Sequence, residues 1–238
     1  MIAIDNKYTQ MQKDWYERNS DDMNQGNHSL HNLNPDYWYI LLNDAKDKRF
    51  EDKVALDFGC GCGRNLINLL RINKWKKLIG VDISSNNLLY TKNNIDKQFP
   101  LNITNVELYC NNGIDLKEIK DNSVDFAMST IVLEHICIWE IRYNILKEIY
   151  RVLNEDGLFS FQMGYDPNEE KLNKDRMKDY HDNFYEATGT NSNCDNYISD
   201  PNQIVNDLKE IGFKNISYEI RPPFSSGHQY WIFIKGIK

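Results

Sequence analysis

The run Val54-Ala55-Leu56-Asp57-Phe58-Gly59-Cys60-Gly61-Cys62-Gly63-Arg64-Asn65 decides how the rest of the chain is read. It begins as an apolar strand pattern holding an acidic residue and breaks into glycines at alternate positions. Glycine tolerates φ > 0 and carries no Cβ, so three of them let the backbone turn tightly and approach a ligand closely. Leu66, Ile67, Leu69 and Leu70 follow at helical spacing, so the turn opens a helix. Unpaired N–H groups at that helix start suit an anionic ligand group, which makes strand, turn and helix a nucleotide site. The dinucleotide spacing G-x-G-x-x-G does not fit, because its third glycine falls on Arg64 when counted from Gly59 and on Leu66 when counted from Gly61.

Strand and helix then alternate. Leu78–Asp82 is a second strand ending in an acidic residue, and Ser84 or Ser85 caps a helix running to about Gln98. Val106–Tyr109 is a third strand, stopped by Asn111-Asn112-Gly113, and Val124–Ser129 a fourth, apolar enough for the inside of a parallel sheet. Ile141, Ile145, Ile149 and Val152 mark an amphipathic helix over 140–153, and Leu158–Met163 is the fifth strand. About 35 polar residues follow, too many for an ordinary connection, so 164–199 reads as an inserted lid or substrate segment. Asp200-Pro201-x-Gln203 starts a helix with Ile204, Val205, Leu208 and Ile211 on its buried face, stopped at Gly212. Two closing strands, 213–220 and 229–235, have no helix between them and pair antiparallel as an edge hairpin. This alternation predicts an α/β, doubly wound, mostly parallel sheet with its ligand across the carboxyl ends of the strands.

Residues 1–50 are polar and dense in aromatics, with helices expected at 8–18 and from Asp36 to about Lys46. They either pack against the main body, 51–238, or form a helical lid over its site. With 238 residues and 41% hydrophobic content the chain can bury a substantial core. It shows no signal-peptide pattern and no apolar run long enough to span a bilayer, so a soluble, cytoplasmic protein is expected. A net charge of −7 argues against an extended phosphate-binding surface and favours small molecules over nucleic acid as partners. The odd set Cys60, Cys62, Cys110, Cys137 and Cys194 has no C-x-x-C pair, indicating neither a disulfide framework nor a metal site.

Asp82 stands 19 residues after Gly63, the separation at which a strand-end carboxylate can accept from both hydroxyls of a ribose; the alternative is a charge placed for the next helix start. The pattern D-x-G-x-G-x-G at Asp57–Gly63 resembles the first motif of the class I S-adenosylmethionine-dependent methyltransferases. Val81-Asp82-Ile83-Ser84, Asn112-Gly113-Ile114-Asp115-Leu116 and Ser129-Thr130-Ile131-Val132-Leu133-Glu134-His135-Ile136 resemble later motifs of the same family, and the likeness covers roughly residues 50–165. The resemblance implies a seven-stranded sheet of order 3-2-1-4-5-7-6 with the last strand antiparallel. Its implied cofactor is S-adenosyl-L-methionine, leaving as S-adenosyl-L-homocysteine. The implied cofactor site comprises Asp57, Gly59, Cys60, Gly61 and Gly63, with Arg64 either on the methionine carboxylate or in a surface ion pair. Asp82 is implied at the ribose, Ile83 on the adenine, and Asn112 with Gly113 and Ile114 at the adenine amino group, where Asp115 is a rival. Ser129 and Thr130 are implied beside the methionine part.

His135 and Glu134 stand where family members acting on small molecules place catalytic groups. A histidine near its ordinary pKa suits a general base, and packing beneath the cofactor is the alternative. Acceptor contacts are expected from segments outside the shared motifs: Trp15, Tyr16, Trp139, and Tyr165, His181 and Tyr185 of the insertion. Aromatics with a few polar groups suit a small polar acceptor methylated on oxygen or nitrogen, such as a sugar, a hydroxylated metabolite or an amine. An RNA or protein acceptor, or an inactive cofactor-binding partner subunit, are the rival readings, and monomer and homodimer both stay open.

Overall fold

In the computed structural model, residues 6–29, 43–99, 105–168, 177–182, 195–222 and 228–238 are described. The first strand, β1 (Val54–Phe58), runs through the middle of the sheet with its side chains alternating between two cores. Leu56 joins Ile79, Ala127, Phe159 and the apolar stripe of one helix, Ile141, Ile145 and Ile149. Ala55 joins Leu78, Phe126 and Leu66, Ile67 and Leu69 on the opposite face. Two buried faces on one parallel strand require helices on both sides, and the helices α3 (Arg64–Ile72), α4 (Ser85–Gln98), α5 (Trp139–Val152) and α6 (Asn202–Ile211) supply them.

Strands β2 (Lys77–Asp82), β3 (Val106–Cys110), β4 (Val124–Ser129) and β5 (Leu153–Tyr165) lie in the order β3-β2-β1-β4-β5, all parallel. The closing strands β8 (Lys214–Arg221) and β9 (Tyr230–Ile237) pair antiparallel, and β9 also runs antiparallel to β5 over Leu158–Tyr165. The order through them is 3-2-1-4-5-9-8, the expected 3-2-1-4-5-7-6 once two extra strands are set aside. Those extra strands, β6 (Met177–Asp179) and β7 (Asp195–Ile198), come from the insertion, and β7 continues the sheet beside the end of β5. The polar sequence of the insertion gave no strand signal, because its pairing is dictated by the free edge at Gly164 and Tyr165. At the start of α6, the Gln203 carboxamide accepts from the Asp200 N–H at 3.3 Å, the expected reciprocal cap. Among the described residues no helix is long and apolar enough to cross a membrane.

Among the described residues two α-helices precede the sheet, α1 (Asn6–Arg18), as expected, and α2 (Ser20–Ser29), which was not. The expected helix from Asp36 lies mostly outside the described residues, and its tail, Asp44–Lys46, is a single 3-10 turn. No apolar stripe announces α2; polar contacts to α4 hold it, such as Asn94 Nδ2 donating to Asn24 Oδ1 at 2.9 Å. Cys60, Cys62 and Cys110 are free thiols, but Cys137 is disulfide-bonded. This corrects the expectation of no disulfide: the approach of loops in space, which spacing does not reveal, decides pairing.

Glu17 fastens the two leading helices to the body. Its carboxylate accepts from the Ser85 N–H and hydroxyl, both at 2.8 Å, and from the Asn86 N–H and Ser84 hydroxyl, both at 3.1 Å. It thus serves as a second cap on α4, beside Ser84. Burial works against its charge, but these donors win and hold it below the ordinary carboxylate range. A carboxylate with a depressed pKa stabilises above its unfolded pKa and loses that contribution as pH falls through the folded one. Glu17→Ala is therefore expected to speed amide hydrogen exchange over 6–29 by about fivefold, for a lost cap of about 1 kcal/mol. The sheet amides should keep their rates, and acidification of the unaltered protein should loosen the same residues.

Candidate functional site

The carboxyl ends of β1, β2 and β4 converge on the glycine turn. The N–H groups of Gly59 and Cys60 donate to the Val81 carbonyl at 2.8 and 2.9 Å, stitching the turn to the end of β2. Asp82, buried, accepts from the Gly61 N–H at 2.8 Å, the Ser84 N–H at 2.9 Å and the Asn87 carboxamide at 3.1 Å. Burial raises its pKa against these donors. Asp57 is fully buried; Asn65 Nδ2 reaches Oδ1 at 3.4 Å, while Oδ2 has no hydrogen-bond partner among the described residues. Burial pushes Asp57 up to about 7 despite Asn65 and the nearby charge of Arg64. Asn65 also donates to Thr130 at 2.9 Å, and the Ser129 hydroxyl donates to the Phe58 carbonyl at 3.0 Å, so β4 is held to the same corner.

A cavity opens above the turn, lined from the body by Phe58, Gly59, Gly61, Val81, Asp82, Ile83, Asn111, Gly113, Ile131, Val132 and Ile136. Its other wall is Tyr8, Thr9, Gln12 and Tyr16, on one face of α1, with Met23 of α2. Gln12 Nε2 donates to the His135 carbonyl at 2.7 Å, and the Tyr8 hydroxyl accepts from the Cys137 N–H at 2.6 Å, which ties this wall to the segment after β4. Gly61 stands at φ 54°, and a Cβ there would meet nothing within 4 Å, so it borders open space. At Gly113, by contrast, a Cβ would lie 2.8 Å from Ile83 Cδ1.

Of the residues expected to hold the cofactor, Gly59, Gly61, Asp82, Ile83 and Gly113 line the cavity, while Asp57, Cys60, Gly63, Arg64, Ser129 and Thr130 build the turn and strand ends around it. Asn112 does not line it: its side-chain oxygen accepts from the Ile114 and Asp115 N–H groups at 2.8 and 3.0 Å in an exposed turn. Asn111, one residue earlier, takes that place. Tyr16 lines the cavity and Trp15 packs edge-on against it at 4.9 Å. Trp139 donates to Asp207 at 2.9 Å and meets His181 edge-on, and Tyr165 lies against Tyr230, all away from the cavity; Tyr185 is outside the described residues. The missed residues Tyr8, Thr9 and Gln12 share an i, i+4 face with Tyr16, the signal that would have found them.

On the acceptor side, His135 Nδ1 lies 2.7 Å from Asp195 Oδ1, and its Nε2 lies 3.8 Å from Glu134 Oε1. Glu134 is buried and accepts from Gln162 Nε2 at 3.0 Å. Burial raises its pKa, with His135 and His228 opposing. Asp195 comes from the insertion, 60 positions on, which is why the sequence did not pair it with His135.

Residues 56–161 match a family model described as a methyltransferase domain. The chain has the fold of the class I S-adenosylmethionine-dependent methyltransferases. Phosphoethanolamine N-methyltransferase 2 of Haemonchus contortus, in complex with S-adenosyl-L-methionine, superposes with a TM-score of 0.60 at 19% identity over 82% of this chain and 52% of that one. This chain thus spans about half of that protein's length. A methyltransferase from Aquifex aeolicus superposes at 0.56 and 16% identity over 90% and 97% of the two chains. A Haloferax volcanii methyltransferase in complex with the activator Trm112 superposes at 0.63 and 13% identity over 93% and 96%. Curated protein sequences give no match.

The methyltransferase family uses S-adenosylmethionine, and the residues of this domain fit it. The cofactor carries a sulfonium and an ammonium, and Asp57 offers a buried carboxylate oxygen without a protein donor. Its ribose needs acceptors, and Asp82 is oriented by three donors at the cavity wall. Two outcomes follow. Gly61→Ala puts a methyl group into the cavity at a left-handed backbone position; binding of S-adenosylhomocysteine by calorimetry should weaken at least tenfold, with thermal stability falling by only about 1 kcal/mol. Asp57 binds a proton in the folded state up to about pH 7 against 3.8 when unfolded, so its contribution is full at low pH and is lost as pH rises through that window. Asp57→Asn, which does not ionise, should therefore gain melting temperature relative to the unaltered protein between pH 5 and pH 8, measured without cofactor.

Proposed function

We propose that the protein methylates an oxygen or nitrogen of a small polar molecule, with residues 1–50 as the lid over the cofactor and His135 as general base. The observation that carries the reading is the 2.7 Å pairing of His135 Nδ1 with Asp195, just after β4 and beside the lid contacts of Gln12 and Tyr8. The Asp195 charge beside Nδ1 favours the tautomer protonated there, which leaves the ring's lone pair on Nε2, the nitrogen able to take a proton from an acceptor. The cofactor, when bound, supplies an activated methyl group on a good leaving group. What the chain contributes is position and exclusion of water: Tyr16, Gln12 and Thr9 cover one side, Val132 and Ile131 the other. In this reading Asp57, Gly59, Cys60, Gly61, Gly63, Arg64, Asp82, Ile83, Gly113, Ser129 and Thr130 serve the cofactor, with Asn111 taking the part expected of Asn112.

An acceptor role for 164–199 is supported by Asp195, which stands beside the candidate base at 2.7 Å. A net charge of −7 disfavours nucleic acid as acceptor. The phosphoethanolamine named in one relative is a small polar amine, in keeping with this class.

A panel of small amines, polyols and phenols, read out as S-adenosylhomocysteine formation, tests the proposal. His135→Ala should keep cofactor affinity within threefold and lower turnover at least a hundredfold, the usual scale of a general base. Turnover by His135→Ala equal to the unaltered protein across pH sinks the base, and turnover only with RNA or protein sinks the small-molecule acceptor.

A further inference from the structure

The acidic and imidazole groups do not stop at Glu134. His228, buried where the chain enters β9, has Nδ1 2.9 Å from Asp166 Oδ2, and the other oxygen of Asp166 accepts from the Gln229 N–H. The far edge of the same ring, Nε2, lies 3.8 Å from Glu134 Oε2, while Glu134 Oε1 lies 3.8 Å from His135 Nε2. The five side chains form one line: Asp195, His135, Glu134, His228, Asp166. A glycine at 164 is needed for it, since a Cβ there would stand 2.2 Å from the His228 ring.

We propose that Asp166 and His228 are positioning residues for methyl transfer, holding a positive charge against one oxygen of Glu134 so that its other oxygen stands as an anion beside His135. This rests on His135 being the base. In the transfer the acceptor's O–H or N–H bond breaks and an N–H bond forms at His135 Nε2. The electron pair left on the acceptor bonds to the methyl carbon as the carbon–sulfur pair returns to sulfur. His135 becomes an imidazolium, its Nδ1–H held by Asp195 and its new Nε2–H facing Glu134, and later passes the proton to solvent from its 23%-exposed edge.

Glu134 is useful there only while ionised, and burial opposes that. His135 and His228 favour its charge and Asp195 opposes it, with Gln162 donating from β5. For His228, burial disfavours the cation, but the hydrogen bond of Asp166 and the charges of Glu134, Asp195 and Asp166 prevail and raise its pKa. Tyr16 of α1 faces the same charges, with burial the largest cause of its raised pKa, so it stays neutral. A purely structural His228 would fill space on Gly164 and leave the titration of His135 untouched.

That difference is the test. The imidazoles of the full chain, labelled with carbon-13, are titrated by NMR in the presence of S-adenosylhomocysteine and again with S-adenosylmethionine. In the unaltered protein His228 should titrate above the ordinary 6.5. A ring already neutral at that pH overturns the proposal without any variant. The His135 midpoint should fall by at least half a pH unit in His228→Gln, Asp166→Asn and Glu134→Gln. The double variant Glu134→Gln/His228→Gln should shift it no further than Glu134→Gln alone, because His228 acts through Glu134. An unchanged His135 midpoint in whichever of His228→Gln and Asp166→Asn keeps the unaltered amide spectrum overturns the positioning role and leaves the base intact. The base itself is judged separately: the sulfonium charge of S-adenosylmethionine should lower the His135 midpoint relative to S-adenosylhomocysteine, and no difference between them overturns it.

Discussion

The Asp82 carboxylate is the constraint on which the site depends. It sits buried at the end of β2 and accepts from the glycine turn after β1, from the start of α4 and from the first turn of that helix. Those three donors belong to elements that parallel pairing alone would leave free to shift. Binding them at one carboxylate fixes the turn's height above the sheet, and with it the cavity that Gly61 borders. A buried charge is costly unless hydrogen-bonded, so the same three bonds that orient Asp82 also make its burial tolerable. The loop that reaches a ligand is thereby built from backbone N–H groups and one anion, with no side chain between them.

The leading helices hang from the adjoining residues. Glu17 caps α4 at Ser85 and Asn86, three and four residues past Asp82, so the end of α1 is anchored next to the carboxylate that serves the cavity. At its other end α1 is tied by Tyr8 and Gln12 to the segment after β4, within two residues of His135. The helix therefore bridges the loops after β2 and β4.

How legible each half was in the sequence follows from what holds it. The glycine turn, Asp82 and the sheet order were readable because backbone geometry imposes them: glycines where φ is positive, apolar runs where both faces are covered, an acid at a strand end. Asn112 was expected where Asn111 lines the cavity, because the two differ only in which of them the local turn consumes, a matter of three-dimensional hydrogen bonding. The helix α2 carries no periodic signal, since polar contacts with α4 hold it. That Asp195, Asp166 and His228 gather at one place stayed invisible for a further reason. They approach Glu134 and His135 only because the insertion adds β7 to the end of β5 and β9 runs back along the same strand, and neither pairing leaves a mark on local sequence.

Both halves share one electrostatic design. Asp57, Asp82 and Glu134 are all buried at the carboxyl ends of the central strands, and burial raises the pKa of each. Ionised carboxylates that burial disfavours are favoured again when a cation lies beside them, so a positively charged partner suits all three, Asp82 serving the turn's structure as well. The cofactor of this family carries two positive groups and loses one on methyl transfer. The same anions oppose the departure of the acceptor's proton unless a neutral imidazole stands ready to take it. An alternating line of imidazoles and carboxylates meets that requirement, because each charge it gains lies beside one of opposite sign.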